Sequence, residues 1–225
     1  MEIPYEDTGI TILVGGLGCG KTELSANLAF CMAKKYNELI HIIDLDNIKP
    51  YFKIRNLDEK YRISNINIVA PDIRYSFADL PIISPEARTI AEISKHVIVD
   101  VGGDASGARV LGGYSEVISK RKYNMFFVVN SSRPFMRDFD SALLALKDIE
   151  NMSGLKITGI VNNTHMMWNT TSEIFEEGRG ISKRLSSEVG VPFVFSCMSV
   201  DSILEKKDFY DENLFKMELF FLNKI

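Results

Sequence analysis

Gly9-Ile10-Thr11-Ile12-Leu13-Val14-Gly15-Gly16-Leu17-Gly18-Cys19-Gly20-Lys21-Thr22 is an apolar run that enters a glycine-rich turn without a break. From Gly15 the match to G-x-x-x-x-G-K-[ST] is complete, and a helical pattern follows at once. The stretch therefore reads as a strand, a P-loop and a helix. Each residue type has a reason. Glycines at 15, 16, 18 and 20 let the backbone curl until consecutive amides converge on one phosphate. The helix that follows aims its positive end at the same point. Lys21 is expected to reach the β- and γ-phosphates, and the Thr22 hydroxyl is expected on magnesium. The phosphate-binding segment is thus Gly15, Gly16, Leu17, Gly18, Cys19, Gly20, Lys21, Thr22 and Glu23. No G-x-G-x-x-G can be laid on these glycines, which excludes the dinucleotide fingerprint.

The 225 residues suffice for one α/β domain, and nothing marks a second, so residues 1–225 are expected to form a single nucleotide-binding domain. Hydrophobic residues at 46% and charged residues at 25% place the chain among globular proteins rather than disordered ones. A net charge of −4 argues against broad nucleic-acid affinity. The three cysteines, Cys19, Cys31 and Cys197, are too few and too scattered for a disulfide framework or a metal cluster, so a reducing cytoplasm is expected. Met1 to Asp7 is short and acidic, unlike a signal peptide, and no apolar run approaches a membrane span.

Downstream, strand and helix patterns alternate. Helical spacing covers Glu23–Tyr36, Glu86–Lys95, Tyr114–Lys122, Asp138–Met152 and, from the capping box Thr170-Thr171-Ser172-Glu173, a helix ending at Gly190. Strands are predicted at Leu39–Ile43, Asn67–Ala70, His96–Val101, Asn124–Asn130, Lys156–Asn162 and Val191–Phe195. Asn47–Arg62 and Pro71–Pro85 read as irregular, and Gly102–Gly113 as a flexible glycine-rich loop. Two short helices, Asp201–Lys206 and Asp211–Asn223, are expected to close the chain. The second is apolar nearly all round and lacks a basic face, which marks a buried helix rather than a membrane anchor. The alternation predicts an α/β fold: a doubly wound, mostly parallel sheet with helices on both faces, three layers deep. In such a sheet the ligand sits at the carboxyl ends of the strands, where Asp44, Asp100, Asn130 and Asn162 all fall.

Asp100 ends an apolar strand and Gly103 follows three positions later. This is the second part a P-loop nucleotidase needs: an aspartate to hold the magnesium shell and a glycine amide to sense the γ-phosphate. Asp44 and Asp46 end the strand after the P-loop helix. Paired carboxylates there suit the orientation of an attacking water and of the metal shell; the alternative is that they only form a turn. The metal set is therefore Thr22, Asp46 and Asp100, and the catalytic set Lys21, Asp44, Asp46 and Asp100.

From about Gly9 to about Val200, this order of motifs resembles the SIMIBI class of P-loop NTPases, and within it the MinD/ParA/nitrogenase-iron-protein group. The resemblance implies a slow ATPase that switches a client protein, through a nucleotide-dependent homodimer whose subunits face each other across their P-loops. It implies that Asp44 and Asp46 lie in the first switch, with Asp46 orienting water, and that Asp100 to Gly107 form the second. It also implies that Asn162, with Asn163 beside it, hydrogen-bonds adenine; both asparagines would equally suit a turn. One departure stands out. The group places a lysine at position 16 and a glycine at 17, where this chain has Gly16 and Leu17. Arg109 or Arg133 is a candidate to replace that charge. Guanine readers use [NT]-K-x-D after a strand, and its absence here favours ATP over GTP. The same class includes dethiobiotin synthetase, so a small-molecule kinase or ligase is a further reading, as is a non-hydrolysing nucleotide-binding scaffold.

Weaker signals complete the chain. Lys120-Arg121-Lys122 is the only dense basic cluster and reads as a solvated helix end. His165-Met166-Met167-Trp168 suits a partner surface, a wall of the adenine pocket, or core. His41 and His96 read as structural. Cys19 reads as a small residue that fits its loop, with a redox-active thiol as the alternative.

Overall fold

The computed structural model describes residues 2–46, 65–69, 84–103, 105–200 and 213–221. Its strands are β1 (Ile10–Val14), β2 (Ile40–Asp44), β3 (Ile66–Val69), β4 (His96–Asp100), β5 (Tyr123–Val129), β6 (Gly159–Asn162), β7 (Phe193–Ser199) and β8 (Leu214–Met217). The helices are α1 (Lys21–Lys35), α2 (Pro85–Ile93), α3 (Ala105–Gly112), α4 (Ser115–Ile118), α5 (Phe139–Ser153) and α6 (Ser172–Val189). The strands form one sheet in the order β3-β2-β4-β1-β5-β6-β7-β8, with every neighbouring pair parallel.

Parallel strands covered on both faces need apolar side chains on both, and β1 and β4 are buried at every position. The chain steps from β1 toward one edge through β2 and β3, then from β4 toward the other edge through β5 to β8. Right-handed crossovers therefore put α1 on one face and α2 to α6 on the other. The reversal falls at β1, so the P-loop emerges at the switch point of the sheet.

Local chemistry ends the helices where the sequence suggests. Asp138 caps α5 by accepting from the Ser141 amide at 2.8 Å, and Thr171 caps α6 by accepting from the Ile174 amide at 3.3 Å. Gly154 and Gly190 close these two helices in the left-handed conformation. At the far end of the sheet, His96 is buried with Nδ1 2.6 Å from Asp7 Oδ2 and its ring stacked on Tyr36, which is a structural role. Arg121 of the basic cluster donates to the carbonyls of Ala91 and Ser94, both at 2.7 Å, so it ties elements together rather than facing solvent freely.

Two expectations are corrected. The stretch predicted as a flexible loop, Gly102–Gly113, carries α3, which packs on α5 and buries Ala108, Val110 and Leu111. The predicted closing helix Asp211–Asn223 contains a strand, β8. Its residues alternate in burial, Phe215 and Met217 inward and Lys216 outward, and it pairs with the open edge of β7. The expectations for Asn47–Arg62, for Asp201–Lys206 and for most of Pro71–Pro85 lie outside the described residues. Among the described residues no helix is long and apolar enough to cross a membrane.

Candidate nucleotide site

The loop between β1 and α1 closes around one cation. Lys21 is buried, and its Nζ donates to the carbonyls of Gly15 at 3.0 Å and Gly16 at 2.9 Å. The Cys19 amide donates to the Gly16 carbonyl at 3.3 Å, which tightens the loop ahead of the first turn of α1. Gly20, at φ 81°, makes the final bend, and a Cβ there would lie 2.4 Å from Asn163 Nδ2. That amide donates to the Cys19 carbonyl at 2.7 Å, so Asn163 braces the loop from β6.

Asp44 and Asp100 end adjacent strands in register and are both buried. Asp44 Oδ1 accepts from the Asp46 amide at 3.0 Å, which turns the chain so that Asp46 lines the crevice. Neither Asp100 carboxylate oxygen has a partner of full hydrogen-bond geometry among the described residues. Burial pushes its pKa up to about 7, helped by the charge of Asp44 and opposed by the nearby Thr22 hydroxyl and Lys21. A buried carboxylate beside a second carboxylate and a threonine hydroxyl is a set of hard oxygen donors that fits magnesium. Among the described residues no three histidine, cysteine, aspartate or glutamate side chains gather around one point.

Gly103 lies directly on the P-loop. A Cβ there would meet Leu17 Cα at 2.6 Å and Leu17 N at 2.7 Å, so any side chain would collide with backbone. Arg133, entering from beyond β5, donates from Nε to the Gly18 carbonyl at 3.0 Å and lines the crevice. Arg109 is exposed on α3 and does not line it. Cys19 is buried, and burial raises its thiol pKa despite the opposing charge of Lys21, so the packing reading describes it.

From the P-loop the crevice runs toward the ends of β6, β7 and β8 and encloses about 390 Å³. Its middle is lined by Asn163, Thr164, His165, Met167 and Trp168. Burial and the charge of Arg133 lower the His165 pKa to about 4, so this ring is neutral near pH 7. Asn162, expected to read adenine, is not brought to the crevice wall. It is fully buried, its Oδ1 accepts from the Thr164 amide at 3.1 Å, and its neighbour Asn163 is the one that faces the site. The sequence reading also missed Leu219 and Phe221, which line the crevice from beyond β8. Nothing in their spacing marks them as site residues.

No protein-family model and no curated protein sequence matches the chain. Solved structures do. The cell division protein FtsY of Thermotoga maritima matches with a TM-score of 0.56 and 16% identity, over 88% of this chain and 64% of that one. FlhF, solved with GTP and magnesium, matches at 0.53 and 17%, over 87% and 67%. A nucleotide-binding protein from Archaeoglobus fulgidus, solved with ADP, matches at 0.52 and 16%, over 88% and 84%. The chain thus spans a little under two thirds of the FtsY it resembles. These likenesses concern architecture: an all-parallel α/β sheet with the P-loop at its switch point is the fold the chain shares with these proteins.

Proposed function

We propose that the chain is a magnesium-dependent nucleoside-triphosphate-binding switch that hydrolyses ATP slowly and acts in the cytoplasm on a client protein. The observation that carries this reading is the buried Lys21 centred in a complete P-loop, with the buried Asp100 beside Thr22. Lys21 and the loop amides hold the phosphates. Thr22, with Asp100 and Asp46 around it, holds magnesium, which when bound neutralises phosphate charge. Asp46 faces the crevice and is suited to orient water, with Asp44 fixing its turn. Gly103, in backbone contact with the loop, reports the γ-phosphate to α3, which follows two residues later. The likeness to the MinD/ParA group belongs to this proposal, as does adenine as the base. The loop after β6 reads Asn163-Thr164-His165-Met166, which lacks the lysine and aspartate that guanine recognition uses.

The test is titration with a fluorescent ATP analogue in the presence of magnesium. Lys21→Ala should abolish binding or nearly so, and unlabelled ATP should displace the probe better than GTP. Equal affinity of wild type and Lys21→Ala removes the reading, and displacement by GTP as effective as by ATP removes the adenine assignment.

A further inference from the structure

The four residues after β8 are held on the P-loop helix more firmly than the end of an edge strand requires. Glu23, Asn27 and Phe30 lie at i, i+4 and i+7 on one face of α1. The Glu23 carboxylate accepts from the Phe220 amide, and from the Phe221 amide at 3.4 Å. Asn27 is buried and pairs with Glu218 as a strand would: its Oδ1 accepts from the Glu218 amide at 2.8 Å, and its Nδ2 donates to the Glu218 carbonyl at 2.9 Å. Phe30 stacks on Phe220, ring centroids 4.7 Å apart. Phe220 goes to the helix, while Leu219 and Phe221 line the crevice, as Met167 and Trp168 do.

The clamp therefore starts one residue after the magnesium-binding threonine and ends in the wall of the crevice. Building on the nucleotide reading, we propose that Glu218–Phe221 forms the apolar wall against which the nucleoside lies, and that docking of this segment on α1 is coupled to nucleotide occupancy. Leu219 and Phe221 contact the flat apolar faces of the base, and Asn27 is a positioning residue that holds them there. A ligand that gains contact only when the segment is docked must itself favour docking, by the same factor.

Phosphate binding and nucleoside binding separate the idea from a general effect on the P-loop. Affinities for ATP and for inorganic tripolyphosphate, each with magnesium, are to be measured by calorimetry on the full chain. Leu219→Ala and Phe221→Ala should each weaken ATP about tenfold, equivalent to about 1.4 kcal/mol, and leave tripolyphosphate unchanged. Asn27→Ala should show the same split. In the wild type, ATP but not tripolyphosphate should slow hydrogen exchange at the Glu218 and Phe220 amides. A wild type that binds neither ligand overturns the nucleotide reading and this proposal together. A wild type that binds both, with variants that lose neither or lose both equally, overturns this proposal alone.

Discussion

At the scale of single residues, two buried groups near the P-loop shift in opposite directions. Asp100 is held above its ordinary value of 3.8, at about 7, chiefly by burial. His165 is held below its ordinary value of 6.5, at about 4, also chiefly by burial. For Asp100 the folded protein binds more protons than the unfolded chain between about pH 4 and 7, so its contribution to stability is lost as pH rises through that window. For His165 the unfolded chain binds more protons between about pH 4 and 6.5, so its contribution is lost as pH falls through that window. Each slope is at most about 1.4 kcal/mol per pH unit, and they have opposite signs. Relative to wild type, Asp100→Asn should therefore make stability rise more steeply with pH across the shared window, and His165→Asn should make it fall more steeply. Urea unfolding at pH 4.5, 5.5 and 6.5 checks this; parallel profiles for the two variants would refute the assignment of either group.

At the scale of elements, α6 carries two glycines that the sequence alone cannot tell apart. Gly178 is buried, and a Cβ there would lie 1.9 Å from Thr164 Oγ1, the atom that accepts from the Ser131 amide at 3.1 Å. Gly180 is exposed, with nothing within 4 Å of such a Cβ. Alanine gains about 1 kcal/mol of helix propensity at either position. Gly180→Ala should therefore stabilise by up to about 1 kcal/mol. Gly178→Ala should destabilise by about 1–3 kcal/mol, because α6 must move off the loop that braces the crevice. Thermal unfolding of the two variants checks the contrast, and a rise in Tm for both would show that α6 is not tied to Thr164. The same limit explains β8. An apolar run of this length fits a buried strand or a buried helix equally, and only the free edge of β7 decides between them. That edge supplies the ladder, with Ser196 donating to the Asn213 carbonyl at 3.0 Å and Val200 to that of Met217 at 2.9 Å. The α3 region was misread for a related reason. Its glycines suggest a loop, but Gly107 is needed because a Cβ there would sit 2.4 Å from the Gly102 carbonyl oxygen.

At the scale of the whole molecule, the P-loop was legible because it is contiguous, six residues between β1 and α1 followed by the first turn of the helix. The nucleoside half was not, because its wall is gathered from beyond β6, β7 and β8, and no local pattern records the gathering. Assembly is the remaining question, and it turns on Gly16. No side chain at that position offers a charge toward a second subunit. Beside it, Leu17 is 46% exposed, and Phe135, next to the Met136 whose methyl would lie 3.1 Å from a Cβ added at Gly16, is 72% exposed. These apolar side chains flank the P-loop, where a facing copy would cover them. A γ-phosphate held at Gly103 would fix α3 and complete that face, so dimerisation is expected with a non-hydrolysable ATP analogue and not with ADP. A donated cation is worth about 10³–10⁵-fold in phosphoryl transfer. Turnover by the wild type should accordingly be slow, with what remains depending on Arg133, which already reaches the Gly18 carbonyl, and not on the exposed Arg109. Light scattering in the two nucleotide states, with phosphate release from wild type, Gly16→Lys, Arg133→Ala and Arg109→Ala, checks each step. A monomer in both states removes the dimer. Fast hydrolysis that survives Arg133→Ala would mean that neither Gly16 nor Arg133 sets the rate.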